Sequence, residues 1–398
     1  MLRTIVALSL LYLFGVVAFA QTSEQTPRLL LTSQRLRRLK RDRQRQTIRW
    51  TNFENRVQSA PDSPQRGFEL ALFYAITGDE AKGREAWHWA LAHSCERRQV
   101  ALVLDWAGGL GPAEEKQRLG SGSCPSDHAG PEQELRDTLF MDIAMGRVNE
   151  LTEPLKEKIL EPIEKGEDVD SAELYALSES LIAVRTNFHE DVREGAPDVF
   201  RQLPAELLLR LKPPQVDNPG WVTHIAALAL VGVDPDLQNA QFLQGWAMED
   251  RQMISEGPGV AYEFLWADPY LPGIGYQSLD PWVYQSAGRL FARTDWTNDA
   301  CWIAISAAGL QQQHCPPGLD HATSQFGHLT LVPATGPCTE IPPPKNNEWV
   351  IIWRLPARQK MLVTQGKTKH TAETDAAGMW LIGSELAGKA CIEHRGER

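Results

Sequence analysis

The chain has 398 residues, with 51 acidic and 40 basic side chains and a formal net charge of −11. This length exceeds the usual size of one hydrophobic core, so it predicts a large domain and a smaller one. The acidic side chains are spread along the sequence, and no basic footprint for nucleic acid is present, which excludes a nucleic-acid partner from our expectations.

The first twenty residues have the features of a secretory signal. Arg3 precedes an apolar run over residues 5–17, and Ala18-Phe19-Ala20 forms a cleavage site before Gln21. We therefore expect a signal peptide at residues 1–20 and a periplasmic or secreted protein. Neither this run nor any later segment is long and apolar enough for a membrane span.

Apolar residues recur at helical spacing from the expected cleavage site to residue 290. Thr32 or Ser33 is the candidate N-cap of the first helix, and Gly78-Asp79 divides residues 67–92 into two helices. Further helices are predicted near 100–106, 132–145, 151–163, 172–184, 199–211, 221–230 and 236–253. About ten helices, often in pairs, favour a helical toroid or an array of α-hairpins over residues 21–290. No repeat of fixed length supports a regular solenoid.

The first predicted helix carries a basic segment from Arg35 to Arg45, interrupted by Leu36 and Leu39. Such a segment suits either a polyanion or a solvated helix face, and the solvated face is the favoured interpretation.

The hydrophobic period changes from Ala300 onward. Short apolar runs near 300–305, 328–332, 349–353, 361–363 and 380–382 predict strands, with a stiff turn at Pro342-Pro343-Pro344. The predicted fold class is therefore α+β and multidomain, with a short antiparallel β-sandwich-like domain over residues 291–398.

Six widely spaced cysteines include no C-x-x-C pair, which argues against a thiolate zinc site. In an oxidising compartment some of them are expected to form disulfides. The preferred pair is Cys315 with Cys338, because both lie in a stretch rich in loops.

Three segments carry candidate chemistry. The first is Asn187-Phe188-His189, which is either a proton-transfer and carboxylate-binding pair or a helix cap with a surface histidine. The second runs from Glu256-Gly257-Pro258 through Tyr262 to Trp266 and Tyr270, and its aromatic rings suit either sugar faces or a core. The third joins the segment from Phe291 to Trp296, including Arg293, to His321 and His328.

The order of these segments resembles the heparinase II/III-like polysaccharide lyases and their alginate and oligoalginate lyase relatives. In that family an (α/α) toroid carries an Asn-His pair and then a Glu-Gly-Pro loop with a catalytic tyrosine. A Phe-Ala-Arg-Ser-Asp-Trp-like junction follows, and then a β-sandwich whose first hairpin bears a His-x-His-x-x-Asp-type motif. The resemblance covers most of residues 27–333, including the opening from Pro27 to Thr32.

The resemblance implies β-elimination on a uronate-containing glycan. Tyr262 would be the proton-transferring phenol, and Asn187 with His189 would hold and neutralise the uronate carboxylate, since negative charge develops there in the reaction. His321 would face Tyr262 from the sheet domain. The expected substrate-binding residues are Glu256, Trp266, Tyr270 and Arg293, of which Arg293 would also brace the domain junction.

Two features depart from the family. Thr323 and Gln325 replace the second histidine and the aspartate of the hairpin motif, so neither a metal nor any other cofactor is expected. The sheet domain is also expected to be a shortened version of the family's sandwich.

Two alternatives to a lyase remain. A glycoside hydrolase on the same fold needs two carboxylates across the scissile bond, and the candidates are Asp105, Glu190, Asp191, Glu256 and Asp280. A degenerate, non-catalytic glycan-binding protein would instead stack sugars on Tyr262, Trp266 and Trp282. In all three readings the expected partner is an acidic polysaccharide or oligosaccharide.

Overall fold

A computed structural model describes residues 28–122, 130–147, 169–319, 321–335, 339, 348–365, 368–382 and 390–394. The predicted signal peptide, the predicted helix at 151–163, the Pro342–Pro344 turn and Cys338 lie outside these residues. The described part of the chain is α+β: helices fill it as far as Trp266, and strands occur from Trp282 onward.

Twelve α-helices occur in the described residues. They are α1 (Ser33–Gln44), α2 (Ile48–Ser59), α3 (Arg66–Thr77), α4 (Glu80–Ala92), α5 (Arg97–Trp106), α6 (Ala113–Ser121), α7 (Pro131–Met145), α8 (Ser171–Phe188), α9 (Pro197–Arg210), α10 (Trp221–Val233), α11 (Gln238–Ala247) and α12 (Val260–Trp266). None of the described helices is both long and apolar enough to cross a lipid bilayer.

Local sequence signals set several helix ends. The Thr32 hydroxyl accepts a hydrogen bond from the Arg35 backbone N–H and caps α1, as predicted. Gly78 adopts a left-handed conformation (φ 74°) and ends α3, which confirms the predicted break. Asp170 begins α8 with a capping box shared with Glu173.

Seven helices contact one another in a closed series, which we call the helix ring: α2, α3, α5, α7, α8, α10 and α12, with α12 returning to α2. The closing contact is aromatic, because Phe264 stacks on Phe53 at 5.0 Å and meets Trp50 edge-on at 5.5 Å between ring centroids. One continuous hydrophobic core runs through these helices.

Eleven strands form three sheets in the described residues. They are β1 (Trp282–Gln285), β2 (Arg289–Arg293), β3 (Trp302–Ser306), β4 (Gly309–Gln313), β5 (Ser324–Phe326), β6 (Leu329–Pro333), β7 (Trp349–Trp353), β8 (Lys360–Gln365), β9 (Thr368–Glu373), β10 (Trp380–Ile382) and β11 (Ala390–His394). The sheet orders are β1-β2-β3-β4, β10-β7-β6-β5 and β11-β8-β9. The first strand thus begins nine positions before the predicted domain start at residue 291.

The expectation of purely antiparallel sheets is wrong for the second sheet, where β6 and β7 pair in parallel from Leu329–Trp349 to Pro333–Trp353. A two-residue hairpin cannot join parallel strands, and fifteen residues separate Pro333 from Trp349 in the sequence. The first and second sheets share a hydrophobic core that includes Ile303 and Ile351.

The predicted Cys315–Cys338 disulfide is also wrong, because Cys315 bonds to Cys301. Cys301 precedes β3 and Cys315 follows β4, so the β3–β4 hairpin brings the two residues together, with Cα atoms 4.4 Å apart. Cys95 is disulfide-bonded as well.

Candidate functional site

Six helices of the helix ring begin around one group of polar and aromatic side chains. Each helix contributes one or two residues from its N-terminal half. They are Gln65 before α3, Arg98 in α5, Arg136 in α7, Tyr175 and Glu179 in α8, Trp221 in α10 and Tyr262 in α12. We call Gln65, Arg98, Arg136, Tyr175, Glu179 and Tyr262 the polar cluster. Helix N-termini carry partial positive charge, so this end of the helix ring favours an anionic group.

Arg98 is the centre of the polar cluster. Its Nε and Nη2 donate to the two carboxylate oxygens of Glu179 at 2.8 and 2.6 Å. Nη1 donates to the Tyr262 hydroxyl at 3.1 Å, and Nη2 also donates to the Tyr175 hydroxyl at 3.0 Å. One buried guanidinium therefore fixes a carboxylate and two phenols in a single geometry.

The Tyr262 hydroxyl is held in both hydrogen-bonding directions. It accepts from Arg98 and donates to Gln65 Oε1 at 2.5 Å. The Tyr175 hydroxyl donates to Glu179 and accepts from Trp266 Nε1 at 3.1 Å. The two phenols thus differ, because Tyr262 points its proton at a neutral amide on a half-buried residue, while Tyr175 points its proton at a buried carboxylate.

Burial sets the protonation state of these groups. Desolvation raises the pKa of Tyr262 above 10.0 in spite of the positive charge of Arg98, so the phenol stays neutral. Desolvation alone would raise the pKa of Glu179, but the charge and hydrogen bonds of Arg98 outweigh it and lower that pKa. The site therefore holds a protonated phenol beside a permanent ion pair. At neutral pH the phenol of Tyr262 can donate a proton but cannot accept one.

Two aromatic side chains, the buried Phe68 and the exposed Trp221, lie beside Tyr262. Phe68 and Trp221 lie 4.7 and 6.3 Å from the Tyr262 ring between centroids. Trp221 is 40% exposed, whereas Tyr262 is 5% exposed. An exposed indole beside a buried phenol is a surface on which an apolar sugar face can stack.

A buried His-Glu pair adjoins the polar cluster. Glu263, next to Tyr262 in α12, lies 2.8 Å from His224 Nε2 and accepts from Arg49 Nε at 2.6 Å. Desolvation would raise the pKa of Glu263, but the hydrogen bonds and charges of His224 and Arg49 lower it, so the carboxylate is ionised. His224 Nε2 faces this carboxylate, and its Nδ1 is buried and has no hydrogen-bond partner among the described residues.

The predicted Asn187 and His189 lie away from Tyr262. Asn187 is twelve residues after Tyr175 in α8, which places it about 18 Å further along the helix axis. Its amide donates to the carbonyls of Arg28 and Ala183, and His189 is an exposed C-cap residue in the left-handed conformation. The structure thus gives this pair the geometry of a helix terminus and does not bring it to Tyr262.

The other predicted residues are dispersed. Trp266 adjoins the polar cluster through its bond to Tyr175. Tyr270 is exposed and lies beside α1, where Arg45 Nη1 donates to its hydroxyl at 3.0 Å. Glu256 and His321 are both exposed, in the loop before α12 and in the turn before β5 respectively.

Arg293 is fully buried at the junction and supports the loop that follows β2. Its Nε donates to the Asp295 carbonyl at 2.6 Å, and its guanidinium lies 4.6 Å from the Trp296 ring centroid. Burial lowers the pKa of Arg293 to about 10. These contacts lie within the loop after β2 and direct the guanidinium into the protein, so the bracing of the domain junction stays a prediction.

The carboxylates of the hydrolase alternative are also scattered. Asp105 accepts from the backbone N–H groups of Arg28 and Leu29 at 2.7 and 2.8 Å, and Asp191 binds Arg193. Asp280 lies 3.2 Å from His328 at the sheet, while Glu190 is half-buried after α8. No two of these carboxylates are seen to face each other across the polar cluster. Trp282, predicted to stack on sugars, lies in β1 beside Trp349.

The sequence analysis named Tyr262 as a candidate but none of the residues that hold its hydroxyl. Arg98, Arg136 and Glu179 sit inside helical patterns whose other positions are apolar, and this interruption was the available signal, because buried charges are rare unless paired. Within the described ranges, no three His, Cys, Asp or Glu residues are grouped as a metal site would require.

Searches of the sequence against protein-family models and against curated proteins found no match.

Proposed function

We propose that this protein is a polysaccharide lyase of the heparinase II/III-like type, which cleaves a uronate-containing glycan by β-elimination. The observation that carries the proposal is the neutral Tyr262 phenol, held by Arg98 at the end of the helix ring where six helices begin. The sugar chain would lie across this end, stacked on Trp221.

Tyr262 is assigned the role of the acid. β-Elimination releases a glycosidic oxygen that needs a proton, and a phenol whose pKa is raised by burial carries that proton at neutral pH. In the free protein the Tyr262 hydroxyl donates a hydrogen bond to Gln65 Oε1. In the reaction the departing glycosidic oxygen would replace this amide oxygen as the acceptor.

The uronate charge is assigned first to the surrounding helix N-termini, because Arg98 and Arg136 already pair with Glu179 and Asp137. Negative charge develops at the carboxylate as the neighbouring proton leaves, and fixed dipoles and cations stabilise it. The roles of Asn187, His189 and His321 in this reaction stay predictions, because the residues observed in contact with Tyr262 are others.

A base must remove the proton next to the carboxylate, and His224 is the candidate that the geometry offers. Glu263 orients its ring through Nε2, and the buried Nδ1, which has no partner among the described residues, would take up the proton. Trp221 and His224 are three positions apart on α10, so they lie on the same face of that helix.

The proposal extends to architecture and location. The closed contacts of the helix ring support an (α/α) toroid for the helical part. The disulfide bonds of Cys95 and of Cys301 with Cys315 support a periplasmic or secreted protein, because disulfides persist in oxidising compartments.

A second candidate is a non-catalytic glycan-binding protein on the same surface. The observation that favours it is the low exposure of Tyr262, whose hydroxyl is already satisfied by Arg98 and Gln65. In that case Trp221 would stack a sugar without proton transfer.

The test is to incubate the protein with alginate, heparan sulfate, chondroitin and polyglucuronate and to follow ultraviolet absorbance, since elimination leaves a conjugated double bond. Tyr262→Phe and His224→Gln should each lower the rate about 100-fold or more. Tyr284→Phe is the matched control, because it removes a hydroxyl that is bonded to Asp375 in the sheet region.

Absorbance that survives in Tyr262→Phe would overturn the assignment of the acid. Bound glycan without any absorbance change would favour the non-catalytic candidate. Release of reducing ends without absorbance would make the protein a hydrolase.

A further inference from the structure

One exposed face of α1 is strongly basic. Arg37, Lys40, Arg41 and Arg45 are all exposed, and we call them the basic strip. With 3.6 residues per turn they fall within an arc of about 140° and extend about 12 Å along the helix. This face is locally basic in a chain whose net charge is −11.

The cations of the basic strip lack the ion pairs that other arginines nearby make. Arg38 pairs with Asp268 at 3.1 Å and Arg49 with Glu263 at 2.6 Å. Within the described part of the chain, no carboxylate lies within 4.0 Å of a nitrogen of the basic strip. The carboxylate of α1 itself, Asp42, is buried, and it interacts with Arg41 and Arg45 through charge alone. The strip therefore presents its charge to solvent.

Tyr270 adds an aromatic surface to the basic strip. It is 58% exposed, Arg45 donates to its hydroxyl at 3.0 Å, and the Arg41 guanidinium lies 5.3 Å from its ring centroid. A ring that is held by two cations and largely open to solvent can stack a sugar while the cations contact acidic groups on the same chain.

The basic strip is remote from Tyr262. Arg43 in α1 donates to the carbonyl of Ile76 near the C-terminal end of α3, whereas Gln65, which binds Tyr262, precedes the first residue of α3. The two positions are eleven residues apart, or about 16 Å along the helix. A ligand on the strip would thus leave the polar cluster free.

We propose that the basic strip and Tyr270 form a second binding surface for an acidic polysaccharide, separate from the Tyr262 site. The choice of a uronate-bearing chain rests on the proposed function. Charge complementarity supports it, because spaced carboxylates match spaced cations, and Tyr270 provides the sugar contact that a purely ionic surface lacks. A more densely charged polyanion would meet the repulsion of an acidic protein.

The test is fluorescence anisotropy with end-labelled alginate chains at low and high salt. The strip variant carries Arg37→Gln, Lys40→Gln, Arg41→Gln and Arg45→Gln. The control variant removes the same charge from exposed positions elsewhere, namely Arg118→Gln, Arg201→Gln, Lys360→Gln and Lys369→Gln.

We expect the strip variant to bind alginate about tenfold more weakly at low salt, which four modest exposed contacts would produce together. The control variant should change affinity less than twofold, and high salt should remove the difference. Tyr270→Ala should weaken the binding of alginate further than the binding of a double-stranded DNA fragment, whose bases are not free to stack on the ring.

Equal affinity of the strip and control variants for alginate would overturn the proposal. Tighter binding of DNA than of alginate at equal salt would also overturn it, because the partner would then be a different macromolecule. A third outcome is that the strip variant binds alginate more weakly than the control variant, while the wild type never yields an unsaturated product. That result would overturn the proposed lyase function and leave the second binding surface in place.

Discussion

At the scale of single residues, the decisive feature is the buried pair of Arg98 and Glu179. A buried ion pair is a weak source of stability, because the cost of desolvation offsets much of the attraction. Here the pair has a positional effect, since the same guanidinium reaches the hydroxyls of Tyr175 and Tyr262. We infer that its geometry, more than its energy, matters to the site.

Removal of one partner should be costly. Glu179→Gln leaves Arg98 buried with its charge unbalanced, whereas Arg136 keeps its ion pair with Asp137 at 2.7 Å. We expect a loss of about 3–5 kcal/mol in the free energy of unfolding, measured by urea denaturation. Glu134→Gln, at an exposed position of α7, should change it by less than about 0.5 kcal/mol.

The difference in the free energy of unfolding between the wild type and Glu179→Gln should depend on pH in a known direction. The pKa of Glu179 is lowered below its ordinary value of 4.5, so its ionisation stabilises the fold above that pH. The advantage of the wild type over Glu179→Gln should be constant above pH 4.5 and should shrink as the pH falls through the lowered pKa. An advantage that grows on acidification would show that the carboxyl is protonated in the folded protein.

The polar cluster shows what the sequence can reveal about single residues. Tyr262 was predicted from its place after Glu256-Gly257-Pro258, which is a local signal. Its partners Gln65, Arg98 and Glu179 come from three other parts of the chain, and only helix packing brings them together. Asn187 and His189 form a local pair as well, yet α8 carries them to the opposite end of the helix from Tyr175.

At the scale of elements, periodicity and turn residues predicted most of the helices that the structure describes. Gly78 and Thr32 acted as expected, since their effects depend only on adjacent residues. The strands were harder to predict: β1 and β2 were placed in or near the helical domain, because Trp282–Gln285 and Arg289–Arg293 are short and partly polar. The partner of Cys315 depended on the β3–β4 pairing, which its sequence spacing does not reveal.

A glycine in α11 marks a close contact between elements. A Cβ atom at Gly245 would lie 2.0 Å from the carbonyl oxygen of Ile274, whose own N–H donates to the Gln241 carbonyl. Alanine is the better helix former by about 1 kcal/mol, but the backbone clash should dominate. Gly245→Ala should therefore lower the free energy of unfolding by about 1–3 kcal/mol, measured by thermal or urea denaturation.

Gly109→Ala provides the comparison, because a Cβ atom there meets nothing within 4 Å. It should leave stability unchanged or raise it slightly. A stabilised Gly245→Ala protein would mean that the segment around Ile274 can move away from α11 at little cost.

At the scale of the whole molecule, α9 joins the helical part to the first sheet. Glu206 is buried, binds Arg210 within α9, and accepts hydrogen bonds from Arg289 and Gln285 of the sheet. Trp302 Nε1 donates to the Leu209 carbonyl at 2.7 Å, next to a small apolar cluster. These contacts should make the two parts unfold together.

Glu206→Gln should weaken this connection. Loss of the charge that Arg289 and Arg210 share should cost about 3 kcal/mol. We expect the single unfolding transition to broaden or divide, and amide protons of β1 and β2 to exchange faster than those of α8 in hydrogen-exchange measurements. Glu194→Gln, at an exposed position, should preserve one transition, and the same result for Glu206→Gln would show that the sheet does not depend on this contact.

The contact of α12 with α2 has a consequence for how the protein is made. Phe264 covers Trp50 and Phe53, yet it leaves the ribosome roughly 200 residues after them, a delay of roughly 10–40 s at ordinary rates of synthesis. Throughout that interval the nascent chain presents an aromatic surface that only its own later residues can cover. The growing polypeptide is therefore a natural client for a chaperone until Trp266 has emerged, and premature release before that point should produce an aggregation-prone fragment.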